Sequence, residues 1–186
     1  MDLVLASQSP RRSELLRIAG FTFRVRSRPV EEVRGEGESP LEYVLRLARA
    51  KAEAAWEGHD EAVLGADTIV VLGGQVLEKP ADAADARRMI AALSGRSHTV
   101  VTGICLRHRR GAILDTESTH VHFTTLEPTE IDAYVASGEP MDKAGGYGIQ
   151  GLASKFIDRI EGCYFNVMGL PLARFYTHWK SLESGA

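Results

Sequence analysis

The stretch from His98 to Leu126 constrains the fold most. His98 to Leu106 and Ile113 to Leu126 are both rich in β-branched and apolar residues, and the charged turn Arg107 to Gly111 joins them, which is the pattern of a long antiparallel pair. Strands that long need another layer to cover their apolar side chains. Helical-period segments supply it. Asp2 to Ala6 is a short strand pattern that runs through a Ser/Pro loop into a helix, with Ser9 as N-cap, Pro10 in the first turn and Gly20 after the last. A capping box, Ser39-Pro40-Leu41-Glu42, opens a second helix that runs to about Trp56, with Leu41, Val44, Leu45, Ala48, Ala52 and Ala55 on one stripe. Val63 to Leu72 reads as a strand that turns at Gly73-Gly74 into Gln75 to Leu77. Helices are expected from about Asp82 to Leu93, around Pro128 to Ala136, and from about Leu170 to Leu182. Gly138 to Gly151 should be irregular, and Phe156 to Ile160 a strand. Crossover and hairpin connections together predict an α/β fold, a mixed β-sheet with packed helices. Residues 1–186 are expected to form one domain, with two lobes around a cleft.

Composition narrows the partners. A formal net charge of -3 and a pI near 6.1 lack the basic excess of a protein that coats a nucleic-acid polymer. No apolar run approaches the roughly 18 residues of a membrane span. Cys105 and Cys163 lie far apart and outside any zinc spacing, so both read as small core residues of a reducing compartment. A cytoplasmic location is expected.

The loop after the first strand has the chemistry of a phosphate site. Backbone N–H groups and the positive end of the helix dipole face an anion there, Ser7 and Ser9 can donate, and Arg11 and Arg12 can grip phosphate oxygens. No Gly-x4-Gly-Lys-Ser/Thr occurs, so this is not a P-loop. Lys51 shares a helix face with Val44 and Ala48, and needs an anionic partner or a route to solvent. Lys79, in Glu78-Lys79-Pro80, ends the hairpin. Asp67, in Gly65-Ala66-Asp67-Thr68, is a carboxylate among small residues, able to reach a ligand and costly to bury unpaired. Either Glu31 or Glu32 can add a second carboxylate for a hard divalent cation, which takes few protein ligands when it also binds phosphate. Gly146 to Gly151 matches GxGxxG without the strand-helix context of a dinucleotide site. Its glycines are expected to let the backbone approach a ligand, with Gln150 offering an amide to a base edge. His120 and His122 share a strand face, but no third metal ligand accompanies them.

These segments resemble the Maf family of nucleotide pyrophosphatases. The resemblance is carried by Ala6-Ser7-Gln8-Ser9-Pro10-Arg11-Arg12, Val30-Glu31-Glu32, Ala48-Arg49-Ala50-Lys51-Ala52, Gly65-Ala66-Asp67-Thr68, Glu78-Lys79-Pro80 and Ser94-Gly95-Arg96-Ser97-His98-Thr99-Val100. It continues through Ser137 to Gly145, Tyr147 to Gly151 and Gly169-Leu170-Pro171-Leu172, in order along nearly the whole chain. Gly146 departs from it, standing where alanine is common. The resemblance implies a two-lobed fold similar to inosine triphosphate pyrophosphatases, a homodimer, and a divalent cation, Mg2+ or Mn2+, at the cleft. It implies that Ser7, Arg11, Arg12, Lys51 and Lys79 hold a triphosphate, with Thr68, Lys143 and Gln150 as further substrate contacts. Glu31 and Asp67 would hold the metal, with Asp67 as the catalytic base. Arg11, Thr68 and Gln150 resemble the group acting on dTTP and UTP. The rival readings are a pyrophosphatase for 7-methyl-GTP or inosine triphosphate, and a non-catalytic nucleotide-binding regulator of cell division.

Overall fold

In the computed structural model, which describes residues 1–58 and 60–184, strands and helices alternate through most of the chain. The elements are β1 (Asp2–Leu5), α1 (Pro10–Ile18), β2 (Phe23–Val25), α2 (Pro40–Ala55), β3 (Glu61–Leu72), β4 (Gln75–Leu77) and α3 (Ala83–Leu93). They continue as β5 (Ser97–His108), β6 (Gly111–Phe123), α4 (Pro128–Ala136), β7 (Ile157–Glu161), α5 (Tyr164–Val167) and α6 (Leu172–Glu183), with short 3-10 turns between α4 and β7. Strand order is β2-β1-β3-β5-β6-β7, with β4 on β3. β1 pairs parallel with both β2 and β3, whereas β3–β4 and β6–β7 are antiparallel. The sheet is therefore mixed, as the sequence pattern requires. No helix among the described residues is long and apolar enough to cross a membrane.

The chain forms two compact units. Met1–Thr68, Thr102–Glu117 and Gly169–Ala186 make the first, and Ile69–Val101 with Ser118–Met168 the second.

In the first unit, Ser39 accepts from the Glu42 amide while the Glu42 carboxylate accepts from the Ser39 amide, so α2 starts where the capping box put it. Its buried stripe is Tyr43, Val44, Leu47, Ala48, Ala52 and Ala55, while Leu41 is exposed. The stripe is thus rotated from the expected one toward Tyr43 and Leu47, with the alanines common to both. A Cβ on Gly65 of β3 would overlap the carbonyl oxygen of Ala48, and one on Gly103 of β5 would lie 2.6 Å from that of Val44. Glycine at both positions lets helix and strands touch main chain to main chain. β3 begins at Glu61, earlier than its apolar run suggests. Arg26 holds the buried Glu61 carboxylate in a fork, at 2.9 and 3.0 Å, and so allows a charge at the strand start. The last helix starts at Leu172, after Pro171, and buries Phe175 and Trp179 against Phe21.

The second unit has its own core. Val70, Leu72, Leu77, Ile90, Leu93, Val121, Phe123 and Phe156 pack together, with Tyr147 among them. Cys163, expected in a core, is only half-buried at the start of α5. His98 lies inside an aromatic nest, edge-on to both Phe123 and Tyr147, with Nε2 2.7 Å from the Tyr147 hydroxyl and Nδ1 buried without a hydrogen bond.

Burial pushes the His98 imidazole down to about 4 from 6.5. As pH falls, the unfolded chain therefore takes up this proton first. The stability owed to neutral His98 is complete above about 6.5 and is lost as pH drops toward 4, a swing on the order of 3 kcal/mol. His98→Gln, which keeps a polar partner for Tyr147, should flatten the acid side of a urea-unfolding series by that order. An unchanged slope would place the titrating group elsewhere.

Candidate active site

β1 ends at Leu5, and the chain turns through Ser7 and Ser9 into α1. The Ser9 side chain caps α1 weakly, accepting from the Arg12 amide at 3.5 Å, and Pro10 fills the first turn. This short connection brings the Arg12 side chain back across its own loop. Its Nε donates to the Gly169 carbonyl at 2.8 Å, one Nη to the Ser7 hydroxyl at 3.2 Å, and the other Nη to the Thr68 hydroxyl at 3.0 Å. All three acceptors are neutral.

Arg12 is only 9% exposed, and among the described residues it makes no ion pair. Of the five guanidinium N–H groups three are used, which leaves two. Burial works against the charge and lowers the Arg12 pKa, with Asp67 offsetting part of the effect and Arg11 adding to it. A cation kept in such a place without a carboxylate in contact can take an anion from outside. Ser7 is similarly prepared. Its hydroxyl oxygen accepts from both Arg12 and the Ser9 amide, so its own O–H is left to donate.

Lys51 and Asp67 meet directly. Lys51 lies three residues after Ala48 on α2, and Asp67 lies two after Gly65 on β3, so both follow the face along which helix and strand touch. The ammonium is 2.7 Å from Asp67 Oδ1 and 2.7 Å from Glu32 Oε1. Burial lifts the Asp67 carboxyl above its ordinary range, while Lys51 and then Arg12 draw it back down and Glu32 adds to the rise. Asp67 Oδ2 makes no hydrogen bond among the described residues.

The other expected residues fall as follows. Arg11 is half-buried on the first turn of α1, and Thr68 is half-buried beside Arg12. Glu31 is exposed and is near enough for its charge to act on Arg46; its neighbour Glu32 reaches Lys51. Side chains of adjacent residues diverge, so one ammonium takes one of the two. Lys51 is bound to two carboxylates, which leaves one N–H of its ammonium. Lys79, Lys143 and Gln150 belong to the second unit. Lys79 and Gln150 are exposed, while Lys143 donates to the Glu139 carbonyl at 2.7 Å and pairs with Asp142 at 2.6 Å. Glycines here lie close against other parts of the protein. A Cβ on Gly145 would lie 2.7 Å from Val70, and one on Gly151 would collide with the Glu139 carboxylate. Thr102 is not marked in the sequence, and Gly169 is marked only as part of the resembling stretch Gly169-Leu170-Pro171-Leu172, not as a partner of Arg12. A threonine inside an apolar strand and a glycine before Leu-Pro carry no local mark of what they touch.

No group of three or more His, Cys, Asp or Glu able to hold a metal ion is present among the described residues. Asp67 and Glu32, tied by one ammonium, still fit a hard divalent cation, which takes one or two carboxylates when the rest of its shell is water and phosphate.

A buried cation with open donors beside paired carboxylates suits an α/β protein that handles anionic, oxygen-rich ligands. The chain belongs to the Maf family: a model described as Maf-like protein matches residues 2–182. A dTTP/UTP pyrophosphatase of Koribacter versatilis is 55% identical over 95% of this chain and 92% of its own length. One from Bacillus cytotoxicus is 47% identical over 98% of this chain and 96% of its own. A solved nucleoside-triphosphatase / dITP/XTP pyrophosphatase from Mycobacterium abscessus aligns at 19% identity over 68% of this chain and 76% of its own, with a TM-score of 0.43.

Removing the Lys51 ammonium takes away the cation that favours ionised Asp67. Lys51→Met should therefore move the Asp67 titration, followed by its carboxyl carbon resonance, to higher pH. An unmoved midpoint would mean that the ammonium does not govern it.

Proposed function

We propose that the protein hydrolyses nucleoside triphosphates of the dTTP/UTP class between the α and β phosphates, releasing the monophosphate and pyrophosphate. The observation that carries this reading is the buried Arg12, held by neutral groups with two donors to spare beside Lys51-bound Asp67. Relatives about half identical over nearly their whole length bear the name of that activity.

Arg12 and the Ser7 hydroxyl bind and orient the polyphosphate, assisted by the positive end of α1 and by Arg11. Asp67 presents Oδ2 to a water molecule and accepts its proton as the water oxygen bonds to the α phosphorus. The bond from that phosphorus to the bridging oxygen breaks, and pyrophosphate departs with the electron pair. Lys51 keeps Asp67 in place and ionised between turnovers. A divalent cation such as Mg2+ or Mn2+, when bound by Asp67 and Glu32, supplies positive charge to the phosphate oxygens. Lys79, Lys143 and Gln150 are assigned to the substrate from the family resemblance. The pyrimidine preference likewise rests on Arg11, Thr68 and Gln150.

Incubation with a panel of dTTP, UTP, CTP, 7-methyl-GTP and inosine triphosphate plus magnesium or manganese tests the reading. Pyrophosphate should be released, fastest from dTTP and UTP. Release of single phosphate, preference for a purine, or binding without turnover would each overturn it. Asp67→Asn should lower kcat by about 10²–10⁴ with nucleotide still bound, the usual worth of general-base help. Turnover close to wild type would remove Asp67 from that role.

A further inference from the structure

We infer that Thr102 is a positioning residue for the phosphate-binding arginine, acting through Thr68; this rests on the reading of Arg12 given above. Thr102 lies on β5 with no exposed surface, and its hydroxyl is 2.9 Å from that of Thr68. Thr68 Oγ1 is the acceptor for one Arg12 Nη at 3.0 Å. Since that oxygen already accepts from the guanidinium, its own proton has two destinations, Thr102 Oγ1 at 2.9 Å and the Gly169 carbonyl at 3.5 Å. Thr102 is the nearer partner, whichever of the two hydroxyls donates. Gly169 closes the frame, because its carbonyl takes Arg12 Nε and its φ of +110° suits glycine.

A guanidinium is planar, so three fixed N–H groups determine where the other two point. Ser7 holds the guanidinium from the loop, Gly169 from the segment before α6, and Thr68 from β3. Two of these holds, through Ser7 and Thr68, depend on hydroxyls that can rotate, and at Thr68 a second buried hydroxyl limits that rotation. Thr102 supplies that contact. Without it the Thr68 hydroxyl keeps only the longer Gly169 contact, its hold on Arg12 loosens, and the open donors match two phosphate oxygens less well. Neither threonine needs to touch the substrate for this effect.

The test is a double-mutant cycle on pyrophosphate affinity, measured by calorimetry with magnesium present, together with steady-state kinetics on dTTP. Thr102→Val removes the hydroxyl at nearly constant volume, and Thr102→Ser restores it. Thr102→Val should weaken pyrophosphate and raise KM roughly two- to twelvefold, the worth of one neutral hydrogen bond. The fall in kcat should be smaller, and Thr102→Ser should stay within about twofold of wild type. In an Arg12→Ala background Thr102→Val should change nothing further, because the group it positions is gone. Thr102→Ala, which also lacks the hydroxyl, must give the same coupling, so altered packing by valine cannot explain it. Equal losses with and without Arg12, or a serine variant as weak as valine, would overturn the inference and leave the site intact. Unchanged pyrophosphate affinity in Arg12→Ala alone would instead overturn the phosphate role of Arg12 itself.

Discussion

The contact on which the candidate site depends carries no charge. α2 lies so close to β3 and β5 that Gly65 and Gly103 have no room for a side chain, and the alanines of α2 fill the space between. This distance sets the reach of everything mounted on the two elements. Lys51 stands one helical turn from Ala48, and Asp67 one strand repeat from Gly65. Main-chain contact therefore delivers the ammonium to the carboxylate at 2.7 Å. A bulkier seam would separate them and leave two poorly solvated charges apart, which is costly for both.

Among the described residues of the first unit, Arg26, Lys51 and Arg12 are enclosed in different ways, and their differences separate architecture from chemistry. Arg26 meets Glu61 in a closed fork and completes the start of β3. Lys51 is shared by Asp67 and Glu32, so one positive charge faces two negative ones and the group remains net anionic, which suits a metal. Arg12 is held by a carbonyl and two hydroxyls that orient it without cancelling its charge. Burial opposes that charge, and nearby Asp67 only partly supports it. An incoming phosphate would relieve the imbalance. An unmatched charge held in a fixed direction is the arrangement that the proposed phosphate binding by Arg12 calls for.

The glycine-rich segment of the second unit is packed closely on its own surroundings. Its glycines make room for the protein's own Val70 and Glu139. Glu139 then accepts from the Leu152 amide at 2.9 Å and from the Tyr134 hydroxyl at 3.3 Å, and Lys143 folds back on the carbonyl of the same residue. The segment is braced from within. A one-dimensional pattern reports that a side chain is absent, but not which neighbour required its absence.

Local rules determined much of this protein. The capping box of α2, the Ser-Pro start of α1, the Gly-Gly turn after β3 and the long β stretches are written in neighbouring residues, because hydrogen bonds over three or four positions decide them. The candidates Ser7, Arg12, Lys51 and Asp67 were legible too, since a charge or hydroxyl among small and apolar neighbours is conspicuous. Only the tertiary structure chose Glu32 over Glu31, turned the α2 stripe toward Tyr43 and Leu47, gave Lys51 two carboxylates, and linked Arg12 to Thr68, Thr102 and Gly169. These are contacts between residues far apart in the chain. Which of two adjacent side chains faces a distant partner depends on how helix and strand pack, and no local pattern contains that distance.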